Sequence, residues 1–338
     1  MYNKLLHTPE GFRDVYGAEY FKRQTVKNAL YDTIKNYKYM SIDLPAIEYF
    51  DIFSSDIGTI PSNELYKFFD KEGNTLVLRP DFTPSIARVA ATYFADKNDT
   101  LRFMYSGSTF VNSSDLQGKL KESTEVGCEL IGDSSVNADF EVISVMLDCA
   151  KELQIEDFQI SIGNVEFFKG LCEEFVFDEK TEMDLREMIS NKNYFGAKGI
   201  LDATNINNSV KDSILSISEL YGSVECLEKA LKIASNERSK EAINRLIELY
   251  KLLEESNRSK YISFDLGMLS KYNYYTGIVF RGYTYGSGDA IFKGGRYDSL
   301  LEKFGKKAPA IGVSANVDQI SGVMSRNNSE LFINIPNY

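Results

Sequence analysis

The sequence predicts an α+β fold: an antiparallel sheet flanked by helices and interrupted by an α-helical insertion. Three observations lead there. Residues 40–164 hold several β-like runs separated by helical stretches. Residues 165–258 hold helix-like segments with no clear strand. From Ile262 to about Val317 the β character returns. Strands, a helical block and more strands imply one sheet built from both flanks of an insertion. The expected organisation is a discontinuous core of residues 1–164 and 261–325, a helical insertion at 165–260, and a short tail at 326–338.

Each element has its own signal. YFKRQTVKNALYDTIKNYK (20–38) combines helix formers with recurring apolar positions, which predicts a helix. An extended piece around Pro45 follows. LYKFFD and TLVLRP flank KEGN, where Gly73-Asn74 predicts a hairpin turn. Residues 82–97 predict a helix starting near Thr83-Pro84, because proline is comfortable in a first turn. LRFMYSGSTF and STEVGCELIG read as strands joined by the polar loop VNSSDLQGKLKE. Val142, Val145, Cys149 and Leu153 recur at helical spacing, and FQISIG alternates as a strand does. In the insertion, VEFFKGLCEEF, SVKDSILSISELYG and SKEAINRLIELYKLLEE are among the helix-like segments.

Composition narrows the function classes. The chain has 338 residues, 43% of them apolar, with 22 Phe and 21 Tyr, which argues against disorder over most of its length. No apolar run reaches the roughly 18 residues of a membrane span, and MYNKLLHTPEG has no signal-peptide character. Four well-separated cysteines predict reduced core thiols in a cytoplasmic protein. His7 is the one histidine, and no CxxC or HxxH spacing occurs, so no metal site is expected. No glycine-rich phosphate loop is present, so neither a dinucleotide-binding nor a P-loop fold is expected, and no cofactor. The net charge of −11 disfavours nucleic acid as the main partner, because such binding draws on clustered Lys and Arg.

Four stretches carry candidate chemistry. LRPDFTPSIAR places Arg79, Asp81 and Thr83 at a strand–helix junction. ESTEVGCELIG alternates, which puts Glu125, Gly127 and Glu129 on one strand face. Like charges on one face repel unless a cation sits between them. YNYYTGIVF is rich in phenols, and GGRYDSLL places Gly294-Gly295 before Arg296, Tyr297 and Asp298. Each also has a plain reading. Asp81 is a helix cap, the glutamates lie on an exposed face, the tyrosines are cross-strand packing, and GGRYD is a turn with an Arg–Asp pair. Together the four point to acidic groups, phenols and glycines around a small cationic ligand.

The order of these pieces resembles histidyl-tRNA synthetases. TPEGFRDVYG, LRPDFTPSIAR, ELIG, YYTGIVF, GGRYDSLLEKFG and APAIG follow one another as in that family, from about residue 8 to 320. The resemblance implies a class II aminoacyl-tRNA synthetase-like core, with LPAIEYFDIF resembling the family's dimer motif. Three positions depart from it. Where the synthetases have an arginine holding the ATP α-phosphate and the carboxylate, Phe110 is followed by Val111. Where their last motif has an ATP-gripping arginine, Asp318 is followed by Gln319. An arginine before the tyrosine pair has become Ser270. Losing one charge-neutralising donor typically costs roughly 10²–10³-fold, so losing three argues against adenylation.

A synthetase-like chain without these arginines, and without the C-terminal anticodon-binding domain, resembles the regulatory subunits of ATP phosphoribosyltransferase. FDLGMLSKYNYYTGIVFRGYTYGSGDA strengthens that resemblance. It implies a non-catalytic homodimer that joins short-form catalytic subunits in a hetero-octamer. It implies activation of those subunits in the first step of histidine biosynthesis and feedback inhibition by L-histidine. Carried over by position, Asp81, Thr83 and Glu125 would meet the ligand's amino group, with Glu125 standing where the synthetases usually have Gln. Glu129 would accept from the imidazole, Tyr274 and Tyr275 would frame the ring, and Tyr297 would close the pocket. A histidine sensor at the interface with the catalytic subunit stays open. So do two other readings. A degenerate amino-acid ligase predicts pyrophosphate exchange, and a tRNA-binding accessory protein predicts salt-sensitive binding.

Overall fold

A computed structural model describes residues 4–54, 60–97, 99–113, 120–173, 177–204, 206–269 and 274–326. Helix α1 (Gly17–Asn36) buries Val26, Leu30, Thr33 and Ile34, the i, i+4, i+7, i+8 stripe of an amphipathic helix. After β1 (Met40–Ser41), strands β2 (Ile47–Tyr49), β3 (Lys67–Phe69) and β4 (Thr75–Leu78) form a separate small sheet in the order β2-β4-β3. The predicted hairpin is there, with Gly73 at φ 87°, but it lies in this small sheet. Helix α2 (Thr83–Tyr93) has Pro84 in its first turn. It stops short of residue 97, and Phe94 packs edge-on against Phe103 with ring centroids 5.3 Å apart.

The main sheet takes strands from both flanks of a helical block. They are β5 (Leu101–Phe110), β6 (Glu122–Ile131), β7 (Phe158–Asn164), β9 (Ile262–Asp265), β10 (Ile278–Thr284), β11 (Phe292–Arg296) and β12 (Ala310–Asn316). With β1 and the two-residue β8 (Tyr221–Gly222) the order is β1-β5-β6-β12-β11-β10-β7-β9-β8. The centre of the sheet, from β5 to β7, is antiparallel as predicted. The pairs β1–β5 and β7–β9 are parallel. Parallel neighbours need a long crossover, and the helical block is the crossover between β7 and β9. β8 is a short strand inside a stretch read as purely helical.

That block consists of α4 (Val165–Glu173), α5 (Glu179–Ser190), α6 (Tyr194–Asp202), α7 (Asn208–Leu215), α8 (Glu225–Ile233) and α9 (Glu237–Glu255). With α1, α3 (Val136–Glu152) and α10 (Val317–Arg326), these helices share one apolar core with the sheet. Met104, Val126, Cys128, Ile160, Ile162, Phe280 and Val313 face that core. A buried ion network ties the layers together. Arg296 on β11 donates to Asp139 on α3 at 2.5 and 2.9 Å, and Arg245 on α9 reaches the other oxygen at 2.6 Å. All four cysteines are buried, unpaired thiols. Among the described residues no helix is long and apolar enough to cross a membrane.

The opposite sheet face carries a second apolar cluster, formed by Phe82, Ile86 and Ala90 of the α2 region with Phe103, Tyr105, Tyr297 and Leu301. The candidate site lies on this face.

Candidate functional site

Strand register assembles the site. Glu125, Gly127 and Glu129 of β6 stand opposite Gly107, Tyr105 and Phe103 of β5 on one side. On the other side they face Asn316, Ser314 and Gly312 of β12. Directly opposed residues share a sheet face, so the alternation read in the sequence becomes a surface of carboxyl, hydroxyl and bare backbone.

Glycines let side chains lie flat on that surface. A Cβ on Gly312 would fall 1.6 Å from Glu129 Oε2. One on Gly127 would fall 2.4 Å from the Tyr105 hydroxyl, and one on Gly295 would fall 2.6 Å from the Tyr275 ring. The group that approaches Gly127 is thus the chain's own Tyr105. Gly294 and Gly295 are strand residues and make no turn. Gly294 makes room for the Phe280 ring on the opposite face.

Glu129 is 1% exposed. Its Oε1 accepts from Thr83 Oγ1 at 2.9 Å and its Oε2 from the Tyr297 hydroxyl at 2.5 Å. Burial pushes its carboxyl up to about 8, against the lowering pull of those two hydroxyls. Glu125 accepts from Ser314 Oγ at 2.6 Å and from Thr109 Oγ1 at 3.3 Å. Burial pushes it up to about 7, and the charge of Asp81 adds to the rise. Asp81 Oδ1 accepts from the Thr83 backbone N–H at 3.0 Å. Burial raises this carboxyl too. Phe82, not Asp81, is the N-cap of α2, so the Asp81 bond is a turn of two residues leading into the helix, and its charge is also felt at both glutamates.

The tyrosines close over these carboxyls. Tyr274 stacks on Tyr275 with centroids 4.3 Å apart and meets the edge of Tyr297 at 6.1 Å. Phe82 stacks on Tyr105 at 4.3 Å. The seven residues singled out from the sequence (Asp81, Thr83, Glu125, Glu129, Tyr274, Tyr275 and Tyr297) thus come together on one face. Tyr105, Thr109, Ser314 and Gly312 belong with them and were missed. They are recognisable only once β5 and β12 are known to flank β6.

Arg79 and Arg296 are structural. Arg79 donates to Ser108 O at 2.8 Å, Leu44 O at 2.6 Å and Pro45 O at 3.2 Å, and lies 4.2 Å over the Phe82 ring. Arg296, 2% exposed, is held by Asp139 and by Asp298 at 3.1 Å. Val111 follows β5 and donates its N–H to Lys121 O at 2.9 Å. Gln319 lies in the first turn of α10, and its buried Oε1 has no hydrogen-bond partner among the described residues. Ser270 lies outside the described residues. Two surface clefts lie elsewhere. One of about 390 Å³ is lined by Arg13, Arg23, Lys27 and Asp318 among others. The other, of about 450 Å³, is lined by Lys192, Tyr194, Tyr221 and Asp265 among others.

The sheet, its helical layer and this carboxyl–tyrosine face define a class II synthetase-like core of the histidyl type. The chain matches the family model "Histidyl-tRNA synthetase" over residues 11–320. It is 40% identical over 325 residues to the ATP phosphoribosyltransferase regulatory subunit of Acetivibrio thermocellus, covering 96% of this chain and 78% of that one. It is 37% identical to the protein of the same name from Ruminiclostridium cellulolyticum, covering 95% and 77%. A crystal structure of an ATP phosphoribosyltransferase regulatory subunit/histidyl-tRNA synthetase from Bacillus halodurans superposes with a TM-score of 0.88 at 32% identity, covering 95% of this chain and 83% of that one. Histidyl-tRNA synthetase from Nostoc, at 21% identity and a TM-score of 0.80 over 98% of this chain and 78% of that one, shares the fold. The chain belongs to the family of ATP phosphoribosyltransferase regulatory subunits.

Proposed function

We propose that this chain is a non-catalytic subunit that joins the short-form catalytic subunit of ATP phosphoribosyltransferase, activates it, and passes on feedback inhibition by L-histidine. The observation that carries the reading is the setting of Glu129, a buried carboxyl group held by Thr83 and Tyr297 beside stacked tyrosines. It supports recognition of an imidazole N–H. Asp81 and Glu125 supply acceptors for an α-ammonium group, and Tyr274, Tyr275 and Tyr297 supply ring faces. The positions that would carry phosphate-gripping arginines hold Val111 and Gln319, both neutral. The site is suited to binding an amino acid and unsuited to activating it.

For regulation, L-histidine must bind one state of the complex better than another. A coupling of roughly 1–3 kcal/mol shifts substrate affinity about 5–150-fold. Self-association is part of the same proposal. The register of the small sheet puts Ile47, Tyr49, Leu76, Leu78 and Phe68 on one face, and Ile47 and Tyr49 are 46% and 55% exposed. A second copy of the chain is the occupant we propose for it, within a hetero-octamer.

The test is co-purification with the short catalytic subunit, with turnover assayed with and without this chain. A stable complex that is active only when both chains are present supports the reading. Absence of a complex, together with amino-acid-dependent pyrophosphate exchange by this chain alone, would establish a ligase instead.

A further inference from the structure

We infer that Arg281 and Lys293 form an anion subsite beside the Glu125–Glu129 pocket, so that this face takes a ligand with a cationic end and a phosphate group. The inference rests on the reading of the pocket as a site for a histidine-like ligand, and it extends that site across the sheet.

Register places the subsite. Arg281 of β10 stands directly opposite Lys293 of β11, and Lys293 stands directly opposite Ser314 of β12. Ser314 in turn faces Gly127 on β6, and Arg281 faces Ser161 on β7. Opposed residues share a sheet face, so Ser161, Arg281, Lys293 and Ser314 form one row on the face that carries Glu125 and Glu129. The next residues of the same two strands, Phe280 and Phe292, turn the other way into the core. Ser314 joins the row to the pocket, because its Oγ donates to Glu125 at 2.6 Å. Both cations stand at positions other than Val111, which follows β5, and Gln319, which lies in α10.

Charge carries the rest of the argument. Like charges directly opposite each other destabilise a strand pair, and an anion between them turns that repulsion into attraction. Lys293 has a carboxylate partner, Asp289 at 3.0 Å, and its side chain is 53% exposed. Arg281 is half-buried, and among the described residues no hydrogen bond or ion pair engages its guanidinium. A guanidinium, an ammonium and the Ser161 hydroxyl are donors of the kind that phosphate oxygens accept from. The pocket and the subsite are within electrostatic reach, since the charge of Lys293 lowers the Glu125 carboxyl against the larger rise from burial. Directly opposed residues have Cβ atoms roughly 5 Å apart, so Ser314 is about 5 Å from Lys293 and about 10 Å from Arg281 at that level. A phosphate ester on the carbon next to the ammonium-bearing one reaches further across this gap than an α-carboxylate does.

The test is isothermal titration calorimetry of the full chain, in buffer free of phosphate and sulfate, with L-histidinol and with its O-phosphate ester. The ester is expected to bind about tenfold more tightly than the alcohol, a difference of about 1.4 kcal/mol. That gain is expected to shrink as salt rises, because the subsite is open to solvent. Arg281→Gln and Lys293→Gln are each expected to narrow the ratio, and Arg281→Gln to leave the affinity for the alcohol unchanged. An ester that binds no more tightly than the alcohol overturns the inference and leaves the pocket reading standing. A gain that both variants keep in full places the phosphate elsewhere and overturns the inference as well. Binding of neither compound overturns the pocket reading, and the inference falls with it.

Discussion

Glu129 and Gly312 face each other across β6 and β12, and the Glu129 carboxylate occupies the space where any side chain at 312 would begin. The carboxylate reaches Tyr297 only because position 312 is glycine. Gly312→Ala must displace it. The substitution is expected to cost roughly 1–3 kcal/mol of stability, as overpacking does, and to abolish ligand binding. Thermal unfolding and calorimetry on the same variant check both. Retained affinity would show that ligand binding does not depend on the Glu129–Tyr297 contact.

The two glutamates make stability depend on pH in a definite direction. Their ordinary value is 4.5, and folding raises Glu125 to about 7 and Glu129 to about 8. The folded chain therefore binds more protons than the unfolded chain between these values. That contribution is fully present below about 4.5 and is lost as pH rises through 7 to 8. The melting temperature of ligand-free protein is expected to fall across this window through these groups. Glu129→Gln is expected to flatten the fall, and an unchanged profile in that variant would contradict the assignment.

Arg296 and Asp139 form a buried pair whose partners are 2% and 0% exposed. Removing one partner of such a pair costs about 3–5 kcal/mol, because the other is left buried and uncompensated. Arg296→Met is expected near the lower end, since Arg245 still bonds Asp139. Urea unfolding measures it. A cost below about 1 kcal/mol would mean that Arg245 alone suffices.

Tyr49 lies on the apolar face of the small sheet. Tyr49→Asp is expected to convert a self-associated chain to monomer in sedimentation velocity while leaving the melting curve of the monomer intact. An unchanged sedimentation coefficient would place the contact between copies on another surface.

Much of this site was legible before the fold was known. Period-two alternation placed Glu125, Gly127 and Glu129 on one face, and the change in residue character marked out the helical block. Local patterning could not say which strands flank β6. Ser314 bonds Glu125 across 189 residues of sequence, and no short-range signal encodes that pairing. The plain reading of the glycines before Arg296 as part of a turn fails for a related reason, while its Arg296–Asp298 pair is present. A glycine serves either a positive φ or a close approach, and here Gly294 and Gly295 serve the second, beneath Phe280 and Tyr275. The parallel β7–β9 pair was hidden because its crossover is the insertion itself.

The central claim is that Glu129 senses the end product and does not activate it. The most direct measurement is turnover of the complex with the short catalytic subunit, titrated with L-histidine, for the wild-type chain and for Glu129→Gln. The account predicts that L-histidine damps the wild-type complex and that the variant complex assembles, turns over and resists inhibition. Equal inhibition of both complexes would contradict it and move the sensor away from this face.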